Sequence, residues 1–457
     1  MLKRQTKQRP RVDGTKVKMI YCTPLLERTA LRDGVNVYYE GVKGHMKWII
    51  NSLLETDLYK FNMNDVVSRM FNSYTTEWTF KCRNSGIKFT PEMVSEIRRQ
   101  VDHYCTLRFT KEEIKWLGDN LPWLSKGYLY HLVDWTPKRE EILINEGDII
   151  GYNDCGLAIE AHGTWLNTSM YEIVILAIVN EVYFAYTYGE GAKDIEFQKR
   201  TMAKFEGLKG GWRAGGTYKY DIGTFAEFGM RRRLSGDMQD WLIKYCVEQK
   251  VPGFVGTSNV YLAKKYGCKA IGTCAHEFIQ CVGQATAGYD IAYSNRFAMD
   301  AWTRCFGIKN GTWLGDTITT DCFLLDFDER FATLFSGLRH DSGDPIAWGE
   351  KIIAHYKKLG IDPMTKTLLF SDSLDFEKAT AIKRHFNGKC KISFGIGTYL
   401  ANDTDVAPLN IVMKVTKCNG KPTAKLSDVD GKNMCRDDEY VSYLKRCIEW
   451  RLTHERN

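Results

Sequence analysis

The spacing of apolar positions changes character about halfway along the chain. From Leu53 the pattern is helical: Leu54, Leu58, Phe61 and Met63 recur near helical spacing, with Thr56 or Asp57 as N-cap. Thr76 to Cys82 alternates like a strand. Thr90-Pro91 predicts a helix start with proline in the first turn, where its missing N–H costs nothing. Thr110-Lys111-Glu112-Glu113 is a capping box and opens another helix. Arg139 to Ile150 reads as a strand or hairpin segment, and Trp165 to Tyr188 as one long apolar helix. Glu172 and Asn180-Glu181 flank its greasiest stretch, Ile173 to Val179, so a buried helix of a soluble protein is expected and not a membrane span.

Near Val251 short apolar runs begin to alternate with helical ones. Phe254-Val255 precedes Gly256-Thr257-Ser258-Asn259 and a helix ending near Gly267. Lys269 to Ile271 precedes Gly272-Thr273-Cys274-Ala275-His276-Glu277. After Gly337 comes Arg339-His340-Asp341-Ser342-Gly343-Asp344, and Asp344-Pro345 caps a helix through Ile352, Ile353, Tyr356 and Leu359. Thr367 to Phe370 leads to Ser371-Asp372-Ser373 and a helix from about Asp375 to Phe386; Lys391 to Phe394 leads to Gly395-Ile396-Gly397-Thr398. This is βαβ spacing, which builds a barrel or a doubly wound sheet. The predicted fold class is α/β: an irregular (β/α) barrel with a second α+β domain. Asn410 to Val415, Asn419-Gly420 and Lys421 to Leu426 predict a β-hairpin outside the barrel, joining the amino-terminal segments. The second domain is thus built from N-terminal and C-terminal segments. The expected division is an extension over 1–50, an α+β part over 51–250 leading into the barrel, the barrel core over 251–409, and a C-terminal hairpin and helix over 410–457.

Composition narrows the class. With 457 residues, 44% of them hydrophobic, the chain can bury a large core. The net charge is +7, but Lys3, Arg4, Lys7, Arg9, Arg11, Lys16 and Lys18 face only Asp13 in the first eighteen residues. The excess is a short basic tail, read as solvated, with no nucleic acid and no membrane as partner. The 14 cysteines contain no Cys-x-x-Cys pair, and Cys268, Cys274 and Cys281 fit no standard zinc spacing. Free thiols in a reducing, cytoplasmic compartment are expected.

The loops carry the chemistry, because polar residues after parallel strands face the end of the sheet where α/β enzymes bind ligands. Gly395 and Gly397 let backbone N–H groups approach an anion, and Thr398 adds a hydroxyl. Asp341 and Asp344 suit Mg²⁺ through water, or ribose hydroxyls; Asp344 also suits a helix cap. Arg339 suits an anionic or aromatic substrate, and Arg231-Arg232-Arg233 a pyrophosphate or carboxylate. His276 could act as nucleophile or base; taken alone, a hydrogen-bonded structural histidine is the commoner case.

Taken together and in order, these motifs resemble the nicotinate phosphoribosyltransferases. The resemblance begins at Leu53-Leu54-Glu55-Thr56-Asp57-Leu58-Tyr59-Lys60. It continues through Glu227 to Arg233, Gly256 to Asn259, the His276 loop, Gly337 to Pro345, Phe370-Ser371-Asp372 and Phe394 to Thr398. It implies joining of nicotinate to phosphoribosyl pyrophosphate, giving nicotinate mononucleotide and pyrophosphate, in NAD biosynthesis. It implies ATP and Mg²⁺, with ATP hydrolysis acting through a phosphohistidine. Carried over, His276 is the phosphorylated residue, Glu277 its orienting partner, and Asp341 and Asp344 lie near ribose and metal. Thr273 lines the nicotinate pocket and Arg339 contacts nicotinate. Tyr59 stacks on the pyridine ring from the neighbouring subunit of a homodimer with shared active sites. Ser371, Gly395, Gly397 and Thr398 hold the 5-phosphate, and Arg231 and Arg232 add cations. No direct metal ligand is assigned. Other members have Asp and Thr where this chain has Glu227 and Met230, which puts a ligand role there in doubt. A nicotinamide-specific relative shares barrel and histidine and stands as the enzymatic alternative. A nucleic-acid-binding or regulatory protein using the basic tail is the alternative of another class.

Overall fold

The computed structural model describes residues 45–148, 154–210, 218–286, 290–429 and 433–455. The basic tail, most of the expected extension and the end of the Arg139–Ile150 segment lie outside the described residues. The described strands are β1 (Thr75–Cys82), β2 (Ile142–Glu146), β3 (Leu157–Thr164), β4 (Phe225–Glu227), β5 (Phe254–Thr257), β6 (Lys269–Ala270), β7 (Thr312–Leu314), β8 (Gly337–His340), β9 (Thr367–Phe370), β10 (Lys391–Ile396), β11 (Ile411–Cys418) and β12 (Lys421–Pro422). They form two sheets. One is antiparallel, in the order β12-β11-β1-β3-β2; the other is parallel, in the order β6-β5-β4-β10-β9-β8-β7.

Local signals set most element starts. The Thr90 side chain accepts from Met93 N ahead of Pro91–Tyr104, and Thr110 makes both bonds of the capping box ahead of Lys111–Asn120. Asp344 caps Pro345–Lys358 by accepting from Ala347 N. The hairpin turns at Asn419-Gly420, with Asn419 at φ 50 and Gly420 at φ 70. That pair of left-handed residues is what a two-residue turn needs, and asparagine and glycine adopt it most readily. β11 pairs with β1, placing Trp78 opposite Val415 and Phe80 opposite Met413. The two ends of the described chain therefore share one sheet.

Three expectations change. Asp57 precedes the helix Leu58–Met70 but makes no capping bond, because its carboxylate accepts from Ser258 Oγ at 2.6 Å. The apolar helix breaks near Ser169 into Trp165–Thr168 and Tyr171–Tyr188. Its apolar window is long enough to cross a membrane by composition, yet all of it is buried inside the protein. The parallel sheet also begins before Val251, since β4 lies between β5 and β10. β4 is three residues long and buried throughout, so it has no alternation to read.

Aromatic side chains fill the space between the parallel sheet and its helices. Phe370 stacks on Phe386 at 5.7 Å between ring centroids, and Phe225 meets Phe376 at 5.8 Å. Each such buried ring contributes about 1.5–3 kcal/mol relative to exposure. Glycine at 337 is a packing requirement. A Cβ there would lie 2.0 Å from the Thr367 carbonyl oxygen of the neighbouring strand.

Candidate active site

The ends of β8, β9 and β10 carry Arg339, Ser371 and Gly397, and all three line a cavity of about 370 Å³. The opposite wall comes from the antiparallel sheet and the segment after it: Arg83, Asn410, Val412, Lys414 and Lys425. Phe228, Gly229, Arg231 and Arg232 enter from the turn after β4, and His276, Asp341, Asp372, Ser373, Leu374, Thr398 and Tyr399 complete the lining. Six cationic side chains thus face two carboxylates. Such a cavity favours a polyanionic ligand, and low-dielectric walls strengthen the attraction.

His276 opens the short helix His276–Ile279, which passes directly into a π-helical turn over Gln280–Gln284. Its ring is buried and contacted on both sides. Nδ1 lies 3.0 Å from Thr317 Oγ1; Nε2 lies 3.0 Å from Asp341 Oδ2 and 2.6 Å from Lys425 Nζ. The Lys425 ammonium also lies 3.4 Å from Asp316 Oδ2 and 3.5 Å from Asp341 Oδ2. Burial, then the Lys425 charge, pulls the imidazole down to about 4 against the opposing pull of Asp316 and Asp341. The ring is therefore neutral near pH 7, as a nitrogen nucleophile must be. Burial raises the Asp341 carboxyl, but Arg339 and Lys425 outweigh it and hold the group well below the usual range.

Arg339 organises the strand ends. Its Nε donates to Ser371 Oγ at 2.8 Å, one terminal nitrogen to Thr273 Oγ1 at 3.1 Å and the other to Asp341 Oδ1 at 2.7 Å. Thr273, Arg339, Asp341 and Ser371 therefore form one bonded group beside His276. Gly397 and Thr398 line the cavity, while Gly395 lies behind them, where a Cβ would meet the Phe228 ring at 2.4 Å. Arg231 and Arg232 face the cavity, and Arg233 turns away to Glu181 at 2.6 Å and Glu55 at 3.2 Å. Burial, with Arg231 and Arg83 beside it, draws the Arg232 guanidinium down to about 10. Glu227 is fully buried and accepts from Gly229 N, Gln239 Nε2 and Thr257 Oγ1, so it shapes the turn that presents the arginines.

Three expected site residues lie elsewhere. Glu277 does not orient His276. Consecutive residues on a helix point about 100° apart, and its carboxylate instead accepts from Lys60, from Trp165 Nε1 at 3.2 Å and from Ser169 Oγ at 2.6 Å. The groups that do contact the ring are Asp341, Thr317 and Lys425. Asp344 is used as a helix cap and is not in the cavity wall. Tyr59 is half-buried and also outside the cavity wall of its own chain. Arg83, Asp316, Thr317, Lys414 and Lys425 were not singled out from the sequence. Lys414 sits on a strand whose residues are mostly buried on both faces, and nothing in its pattern marks the face it meets.

His276, Asp316 and Asp341 have ligand atoms within 4.8 Å of one another. A bound cation does not fit there while the Lys425 ammonium occupies the same space, 2.6 Å from the ring nitrogen. Mg²⁺ also prefers an all-oxygen shell with several waters. The trio is a lysine-neutralised cluster and not a resident metal centre.

Two family models match the chain. The nicotinate phosphoribosyltransferase (NAPRTase) N-terminal domain covers residues 54–180, and the nicotinate phosphoribosyltransferase (NAPRTase) family covers residues 224–450. A nicotinate phosphoribosyltransferase of Ralstonia pickettii is 40% identical over 409 residues, covering 87% of this chain and 98% of that one. The crystal structure of nicotinate phosphoribosyltransferase from Porphyromonas gingivalis superposes with a TM-score of 0.77 at 35% identity, over 87% of this chain and all of that one (100%). The one from Vibrio cholerae gives 0.78 at 32% identity, over 88% of this chain and 94% of that one.

Proposed function

The chain belongs to the nicotinate phosphoribosyltransferase family, and from that premise we propose that it joins nicotinate to 5-phosphoribosyl 1-pyrophosphate, releasing pyrophosphate. The product is nicotinate mononucleotide, a precursor of NAD. The observation that carries the reading is the cavity itself: six cations between the ends of the parallel strands and the antiparallel sheet, with a neutral buried histidine in the wall. We read the parallel sheet, with β6 and β7 at its edges, as an irregular barrel whose strand ends hold the substrates.

In this reading the pyridine nitrogen attacks C1 of the ribose as the C1–O bond to pyrophosphate breaks. Positive charge develops on the ribose and negative charge on the leaving group. Arg231, Arg232 and Lys414 offset the latter, and Asp341 faces the ribose. Ser371, Gly397 and Thr398 receive the 5-phosphate, so that C1 is presented to the nicotinate held near Arg339 and Thr273. Tyr59 is assigned to the neighbouring site of a homodimer, in keeping with its place outside its own cavity wall. The six-cation lining and Arg339 favour nicotinate, a carboxylate, over nicotinamide, its neutral amide.

ATP is assigned to the same cavity. A lone-pair nitrogen of His276 attacks the γ-phosphorus, the bond to the ADP oxygen breaks and ADP leaves; water later attacks the same phosphorus, the N–P bond breaks, and phosphate leaves with the imidazole restored. Lys425 is placed to take the transferred phosphoryl oxygens. Mg²⁺ enters on the phosphates as part of the substrates, so no step is assigned to it. Turnover of nicotinate and phosphoribosyl pyrophosphate, with and without ATP, tests the assignment. His276→Ala is expected to lose the ATP stimulation and keep a slow ATP-independent rate. Normal stimulation of that variant would remove the phosphohistidine, and absence of product in the native protein would remove the function.

A further inference from the structure

A line of buried charges runs behind the cationic wall. Glu172, in the first turn of Tyr171–Tyr188, is 2% exposed and does not line the cavity. Its Oε1 lies 3.2 Å from Lys414 Nζ and 3.7 Å from an Arg231 terminal nitrogen. Its Oε2 lies 2.8 Å from Lys60 Nζ, and Lys60 in turn binds Glu277. Lys60 is thereby shared between two carboxylates, and the free side of Glu172 is left for the two cations that do reach the cavity.

We propose that Glu172 is a positioning residue for phosphoribosyl transfer, holding Lys414 and Arg231 aimed at the phosphate oxygens of the sugar substrate. This rests on the function proposed above. The electrostatics explain why a buried anion is needed. Lys414 is faced by Arg231 from the turn after β4, by Lys425 from the segment after β12 and by Glu172 from the helix, with Lys60 and Glu277 behind. Two of its three immediate charged neighbours repel it. Burial first, with Arg231 and Lys425 adding to it, brings the ammonium down to about 8, and Glu172 is the group that holds it up. Glu172 itself is raised by burial but carried down to about 2 by Lys414, Lys60 and Arg231 together, so it stays ionised. A lysine poised there must lose its proton on the alkaline side, and Glu172 sets where that loss falls.

The sign follows directly. Glu172→Gln removes the attraction that keeps Lys414 protonated, so its proton leaves at lower pH. The test is kcat/KM for phosphoribosyl pyrophosphate between pH 6 and 9.5 in the native protein, Glu172→Gln and Lys414→Arg. Calorimetric binding of inorganic pyrophosphate is measured over the same range. The native profile is expected to fall above about pH 8, and in Glu172→Gln the fall moves down by about one pH unit. At pH 8.5 that variant is expected to show KM raised about tenfold with kcat less affected. In Lys414→Arg the fall disappears, because arginine does not deprotonate. An unmoved limb in Glu172→Gln, or a persisting limb in Lys414→Arg, overturns the proposal, as does an equal loss at every pH. If Glu172→Gln fails to fold, Glu172→Asp, which draws the carboxylate back from Lys414, is expected to move the fall in the same direction, and an unmoved limb in that variant overturns the proposal. If no product forms, the function is wrong, and the pyrophosphate titration still decides the role of Glu172.

Discussion

His276 owes its chemistry to the groups around it. Lys425 is the neighbour that matters most after burial itself, because its charge opposes a proton on the ring. Replacing it with methionine leaves Asp316 and Asp341 to favour the imidazolium. In Lys425→Met the histidine is expected to titrate at least about one unit higher, read by NMR from its ring proton. The acid-side loss of ATP-stimulated turnover then begins at higher pH. An unchanged ring titration would show that Lys425 does not control it. At this scale the sequence is a partial guide. Arg339, Asp341, Ser371, Gly397 and Thr398 were legible because each lies in the last residues of a parallel strand or just after it, and strand ends converge by topology. Lys425 and Asp316 were not, since only folding brings residue 425 within 2.6 Å of residue 276. Glu277 misled for the complementary reason: adjacency along a helix separates side chains.

The element that seats His276 ends in a π-helical turn, a rare form that recurs at functional sites. Gly283 lets the turn pack closely against the start of the helix Ser294–Phe306. A Cβ there would lie 2.3 Å from the Ser294 Cα, which is backbone and cannot yield. Gly283→Ala is expected to cost about 1–3 kcal/mol by overpacking. Urea unfolding measures that cost, with a drop in ATP-stimulated turnover as the helix His276–Ile279 shifts. Unchanged stability and rate would show that the turn has slack. Elements with local start signals were readable, as Thr90, Thr110 and Asp344 show. β4 and β7, at three residues each, were not. A strand that short and buried is defined by its neighbours' hydrogen bonds and not by its own pattern. Asp57 had the chemistry of a cap, but a partner 201 residues away took its carboxylate.

Across the whole molecule, net charge and site charge are separate matters. The basic residues of the first eighteen positions account for most of the +7, while the cavity draws its cations from residues 83 to 425. Deleting residues 1–18 is expected to leave kcat and KM within about twofold, since the cations that line the cavity lie elsewhere in the chain and solvated charges are screened by salt over roughly 8–10 Å. A collapse of activity on deletion would give the tail a role in the reaction. The two-sheet architecture was legible as repeated strand–helix units forming a parallel sheet, plus a hairpin returning to the amino-terminal segments, because Asn419-Gly420 is a strong turn signal. The cationic wall between the sheets was not, because it depends on how they face each other.

The pairing of β1 with β11 has a consequence in time as well as in space. During synthesis Arg83 emerges early, and His276 follows when more than half the chain exists. Neither can work until Lys414 and Lys425 have left the ribosome and β11 has found β1. A nascent chain that has folded its whole parallel sheet still lacks the Lys414 and Lys425 side of its cavity, so a product stopped before β11 is expected to bind no pyrophosphate.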